Sequence, residues 1–193
     1  MYMTEKELLR RSKEGHVASF EELISVHQQK VYNIALRMLA NEQDAFDASQ
    51  EVFIKVYKNL DKFQENSSFS TWLYRITTNT CLDMIRKNKD KKNDISIDSQ
   101  VEFEDGEASF QLEDKNADVE EEILKKERRQ ALYEAIQQLN DEHKKMIVLR
   151  ELQGMSYQEI AEITGANIGT VKSKINRARI SLKNSLLKYK ELF

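Results

Sequence analysis

The 193 residues suffice for one ordinary core or two small ones, so length leaves the domain count open. Hydrophobic residues at 40% against 33% charged, with five Gly and no Pro, suit an all-helical chain with a thin core and a wide solvated surface. The lone Cys81 excludes an internal disulfide, and no apolar run approaches bilayer-spanning length. The N-terminal stretch Met1 to Leu8 lacks the apolar core of a secretory signal, so the expectation is a cytoplasmic protein without direct membrane insertion.

In chain order, Thr4 with Glu7 and Ser19 with Glu22 both have capping-box spacing and predict helix starts, with Gly15 ending the first helix. From Ser19 the apolar positions Leu23, Val26, Val31, Ile34, Ala35, Met38 and Leu39 recur at helical spacing. A third helix is expected from about Asp44 to Leu60, carrying Phe46, Val52, Phe53, Val56 and Tyr57. Residues 63–70 read as a loop into a fourth helix near Thr71 to Lys87. A basic run, Arg86 to Lys92, ends this first domain, residues 1–92.

The net charge of −3 taken whole argues against a simple nucleic-acid binder, but the charge is segregated. Between Asp94 and Glu122 acids are opposed only by Lys115, which predicts a flexible acidic linker, residues 93–118, too self-repelling to pack a core. Between Lys172 and Lys190 the charged residues are all basic. The second domain, residues 119–193, begins with a helical stripe of Ile123, Leu124, Ala131, Leu132, Ile136 and Leu139. Asn140 and Asp141 interrupt it and cap a helix containing Met146, Ile147, Leu149 and Leu152, which Gly154 ends.

Ser156 with Glu159 forms a further capping box, a turn follows at Thr164, Gly165 and Ala166, and Asn167 is placed to cap a final helix. Gly165 can take the positive φ that a tight turn demands. Ile160, Ala161, Ile163, Ile168, Val171 and Ile175 are the expected core between the two helices. The last helix is then left exposing Thr170, Lys172, Ser173, Lys174, Asn176, Arg177 and Arg179. Lys and Arg answer phosphates or guanine edges, and Ser and Asn bond base edges or phosphates, so this is the inventory of a helix lying in a major groove. A basic helix alone is more often a solvated surface. A capped short helix and a Gly turn at this spacing before it make a helix-turn-helix the better account.

The segment Leu152 to Ile163, followed by Gly169 to Lys174 and Arg177 to Arg179, resembles the fourth conserved region of the extracytoplasmic-function (ECF) sigma factors. These are small promoter-recognition subunits of bacterial RNA polymerase. Asp47 to Phe53 resembles the family's second-region signature, and Phe69 to Ile76 with Asn79, Asp83 and Arg86 resembles the segment that opens and reads the −10 element. The resemblance implies that the helix-turn-helix binds the −35 element and that Asp47, Gln50 and Glu51 dock on the clamp helices of core RNA polymerase. It further implies that Phe63, Trp72, Tyr74, Arg75, Asn79 and Arg86 serve −10 binding and melting, with Phe63, Tyr74 and Asn79 near a pocket for a flipped base. Trp72 is open between core packing and a DNA contact.

The resemblance also implies promoter DNA and an anti-sigma factor as partners, and a linker threading the polymerase cleft either as a polyanion mimic or as a solvated spacer. Two departures stand out: Phe46 where the family often carries Glu, and Asn140 with Asp141 where a Pro commonly precedes the helix. An enzyme is disfavoured, because no phosphate-binding Gly loop, Cys pair or His-Glu metal motif occurs, and no cofactor is expected. The remaining alternative is a conventional helix-turn-helix regulator whose first 90 or so residues sense a ligand or dimerise. That reading predicts tight duplex binding by the protein alone.

Overall fold

The structure, a computed structural model, describes residues 3–94 and 119–192, with side chains described over 3–88 and 123–192. Every regular element among the described residues is helical. The acidic stretch expected as a linker falls, apart from its first two residues, on 95–118, outside the described residues.

Helix α1, Glu5–Lys13, starts where Thr4 accepts a hydrogen bond from the Glu7 amide, although the Glu7 carboxylate turns to Arg10 rather than back to the cap. Gly15, at φ +92°, follows it as expected. The expectation for Ser19 is corrected. It does not cap a helix but lies buried inside α2, Val17–Ser25, whose N-cap position is His16. The single stripe expected from Ser19 to Leu39 is in fact two helices, α2 and α3, Gln28–Leu39. Val26, at the break, is 76% exposed rather than part of the inner face.

Helix α4, Glu42–Lys58, is capped by Asn41, whose side chain accepts from the Asp44 amide. Its inner face is Ala45, Ala48, Val52 and Val56, all fully buried, and these packed against Val31, Ile34, Ala35 and Met38 of α3 make the core of the first half. The small Ala positions let α3 and α4 approach closely. Phe46 and Tyr57, expected with the apolar set, face outward. Helix α5, Phe69–Asp94, begins earlier and ends later than expected, because Ser68 accepts from the Thr71 amide and opens the helix at the buried Phe69.

In the second half α6, Val119–Gln137, leads to α7, Asp141–Ile147, capped by Asn140 through the His143 amide at 2.8 Å. A wider π-helical turn, Val148–Leu152, carries the chain to Gly154 at φ +66°. Helices α8, Tyr157–Thr164, and α9, Ile168–Leu186, close the fold. Ile160, Ile163, Val171 and Ile175 pack as expected, joined by Ala178, whereas Ile168 and Ile123 are exposed and leave the predicted core. The halves touch through α8 on α5 and the π-helical turn on α3, and one continuous set of buried residues runs across both.

Candidate nucleic-acid interfaces

Two surfaces carry the candidate DNA-contacting residues. The first is built on the α8 to α9 turn. Ser156 accepts from the Glu159 amide and the Glu159 carboxylate accepts from the Ser156 amide at 2.8 Å, a reciprocal box that starts α8. Hydrogen bonds from Ser156, its backbone amide first and its side chain second, hold the Glu159 carboxyl below the usual range. Gly165 ends α8 in the left-handed region at φ +68°, and Asn167 caps α9 by accepting from the Thr170 amide. Tyr157 anchors the start of α8 under two cations, the Arg150 guanidinium at 4.6 Å and the Lys172 ammonium at 5.8 Å from its ring centre.

With Val171, Ile175 and Ala178 turned inward, α9 leaves Lys172, Ser173, Asn176, Arg177 and Arg179 exposed and Thr170 and Lys174 half-buried. The seven candidates therefore spread over the whole solvent-facing side of α9, with Thr170 and Arg179 toward its opposite edges. Two of them sit in ion pairs: Lys174 pairs with Glu142 of α7, and Arg179 pairs with Glu151 of the π-helical turn at 2.8 Å. Such exposed pairs are worth about 0–1 kcal/mol each, so a phosphate can displace either acid.

The second surface is a cleft of about 360 Å³ at the start of α5, lined by Lys62, Phe63, Gln64, Asn66, Ser67, Trp72, Arg75 and Glu162. Phe63 and Trp72 rings lie 5.1 Å apart, and Phe69 stands behind both. Trp72 is thus packed into an aromatic cluster and also presented to the cleft. The Lys13 ammonium bonds the Phe63 carbonyl at 2.9 Å and lies over its ring, while Lys62 and Arg75 are the cations that line the cleft itself. An aromatic wall beside cations suits an unstacked base and its backbone phosphate.

The predicted −10 residues do not all meet there. Phe63, Trp72 and Arg75 line the cleft. Tyr74 lies elsewhere on α5, 7% exposed, its hydroxyl 3.1 Å from His27 Nδ1 and its ring under Lys30. Burial, with Glu159 second, raises the Tyr74 pKa. Asn79 accepts a long 3.5 Å bond from Lys145, a residue of α7, and Arg86 lies between Asp83 and Asp141. Lys62, Gln64, Asn66 and Ser67 were not singled out from the sequence. Their only signal was a short polar loop between aromatic residues.

A third surface lies on α4, where Asp47 and Gln50 are exposed and Glu51 pairs with Lys55 at 2.7 Å. Phe46, 53% exposed, presents an apolar ring to solvent on the same helix. Cys81, fully buried with its thiol pushed up to about 12 by burial, takes no part in any of these surfaces. Among the described residues no cluster fit to hold a metal occurs, and no helix is long and apolar enough to cross a membrane.

An all-helical chain with a helix-turn-helix in one half and a cation-edged aromatic cleft in the other is a two-part DNA-binding protein. Residues 23–91 match the Sigma-70 region 2 family and residues 129–182 the Sigma-70, region 4 family. The chain is 35% identical to the ECF RNA polymerase sigma factor SigW of Bacillus subtilis (strain 168), covering 96% of this chain and 98% of that protein. It is 34% identical to the ECF RNA polymerase sigma-E factor of Escherichia coli (strain K12), covering 95% of each. The fold of CnrH, solved in complex with the cytosolic domain of CnrY, matches with a TM-score of 0.65 at 23% identity, over 94% of this chain and 96% of that one. The chain belongs to the sigma-70 family as an ECF-type sigma factor, a transcription initiation factor that directs RNA polymerase to promoters and is not an enzyme.

Proposed function

We propose that this sigma factor reads its promoters at two points, with residues 1–92 serving core polymerase and the −10 element, 93–118 as tether, and 119–193 serving the −35 element. Helix α9 enters the major groove, where Thr170, Lys172, Ser173, Lys174, Asn176, Arg177 and Arg179 divide base-edge and phosphate contacts. The −10 strand is taken by Phe63, Trp72, Tyr74, Arg75, Asn79 and Arg86. Unstacking a base costs a few kcal/mol, and stacking on a protein ring returns about 1–3 kcal/mol, so rings together with cations can hold a melted strand open. The exposed α4 surface, with Asp47, Gln50 and Glu51, docks the polymerase clamp helices, and Phe46 adds apolar area beside those acids.

The observation that carries this proposal is the cation-edged cleft against Phe63 and Trp72, a feature that duplex reading by α9 alone does not require. The protein works in the cytoplasm, where the polymerase is. It is held in check by an anti-sigma factor; a sigma factor of similar fold, RpoE from Bartonella quintana, has been solved with the anti-sigma factor NepR.

Reconstitution with bacterial core polymerase on a pool of randomised promoter fragments tests the proposal. Promoter-dependent transcripts are expected only when core and this protein are both present, with selected sequences conserved at two blocks. Selection at one block alone would overturn the two-point mechanism.

A further inference from the structure

We infer that Lys13 of α1 is a positioning residue for −10 recognition, holding the loop 63–67 in the shape that forms the aromatic cleft; this rests on the promoter reading proposed above. The Sigma-70 region 2 match begins at residue 23, so α1 lies outside it. Helix α1 is nonetheless firmly mounted, with Leu8 and Leu9 buried in the core, and it packs against the short turn Leu60–Lys62 that leads into the loop. Lys13 is its last residue, where a cation commonly does no more than offset the helix dipole. Here the side chain reaches across instead. Its ammonium donates to the carbonyl of Phe63, fifty residues along the chain, at 2.9 Å. The same ammonium stands 5.5 Å from the centre of the Phe63 ring and 4.0 Å from the Glu65 carboxylate. One side chain thus meets the main chain, the ring and the acid of a three-residue stretch.

That stretch has little else to hold it. Among the described residues no backbone–backbone hydrogen bond involves 64–67, and Glu65 sits at φ +38°, a conformation that residues other than Gly rarely adopt. Packing against Trp72 and Phe69 fixes the ring of Phe63. The bond from Lys13 fixes its carbonyl, and with it the direction in which the chain leaves Phe63 toward Gln64, Asn66 and Ser67 on the cleft wall. Polar side chains discriminate between bases only when they are held in place beforehand, since a loop free to reshape itself accepts several. Lys13 does not line the cleft, so it acts on a bound base through the loop alone.

The test compares full-length chains on core polymerase with the randomised promoter pool. Lys13→Met keeps the apolar stem and removes the donor, and Lys13→Arg keeps a cation able to reach the carbonyl. Lys13→Met is expected to lower base preference at the −10 block about ten-fold, the size of effect that losing one charge-assisted hydrogen bond gives, with enrichment at the −35 block unchanged. Lys13→Arg is expected to keep most of the preference. Trp72, the chain's single tryptophan, reports on the loop directly through its contact with Phe63. Its emission should be quenched more readily by acrylamide in the free Lys13→Met chain than in the parent, and Lys13→Arg should restore the protection. Parental −10 preference in Lys13→Met overturns the inference, as does failure of Lys13→Arg to rescue. Loss of enrichment at both blocks together also overturns it, since that would make Lys13 a support of the whole fold. A parent chain that yields no promoter-dependent transcript overturns the promoter reading itself.

Discussion

No sequence pattern marks His27, one of the chain's three histidines. It lies in the core with its ring 5.6 Å from Phe69 and 5.9 Å from Tyr74, and its Nε2 atom has no hydrogen-bond partner. Its aromatic neighbours come from a helix far along the chain, which no local pattern reveals. Burial disfavours the cation and lowers the His27 pKa below its ordinary 6.5, with Glu5 opposing and Lys30 reinforcing the effect. Unfolding restores the ordinary value. The His27 contribution is therefore complete above the unfolded pKa and is lost as pH falls from there toward the folded pKa, because only the unfolded state binds the proton in that window. Urea midpoints measured at about pH 7.5 and about pH 5.5 are expected to fall with acidity, and His27→Phe should remove that part of the fall. An identical fall in the variant would clear His27 as its cause.

At the scale of elements, the helix starts were legible wherever a side chain closes its own cap. Asn140, Ser156 and Asn167 each accept from an amide three residues on, as their positions before apolar runs predicted. The same rule misled at Ser19, where the hydroxyl and Glu22 have box spacing but the helix has already begun at Val17. A box is a local option, and burial of Ser19 with Phe20 in the core overrode it. The π-helical turn at Val148–Leu152 had no sequence signal, since its residues keep ordinary apolar spacing. Helix α8 has only eight residues, so its end bonds count heavily. Ser156→Ala is expected to cost about 1 kcal/mol in chemical denaturation, with Ser156→Asp recovering most of it. Since α8 seats α9, the alanine variant should also weaken −35 binding. Unchanged stability would mean that the Glu159 half of the box suffices.

For the whole molecule, composition showed that charge is divided by segment, and family motifs showed what each half resembles. Which surfaces of the two halves meet was not legible. Helical periodicity marks an inner face for each helix, but pairs such as Thr71 with Glu162 or Asn79 with Lys145 follow no pattern along the chain. The cleft was only half legible for a similar reason, since Glu162 reaches it from the other half.

The acids between Asp94 and Glu122 bear on DNA affinity through charge alone. An acidic stretch joined to the basic helix in one chain is expected to compete with duplex phosphates for Lys172, Arg177 and their neighbours, at an effective concentration set by the length and stiffness of the connection. Neutralising Glu102, Glu104, Asp105 and Glu107 to their amides, all between the two halves in the sequence, should raise binding of duplex DNA by the free chain several-fold at low salt. The gain must shrink as salt rises, because the screening length falls from about 10 Å at 0.1 M to about 3 Å at 1 M. Fluorescence anisotropy across that range measures both effects. A gain that does not shrink with salt would point to a changed conformation in place of charge competition, and no gain at low salt would leave the acids with no part in restraining the free protein.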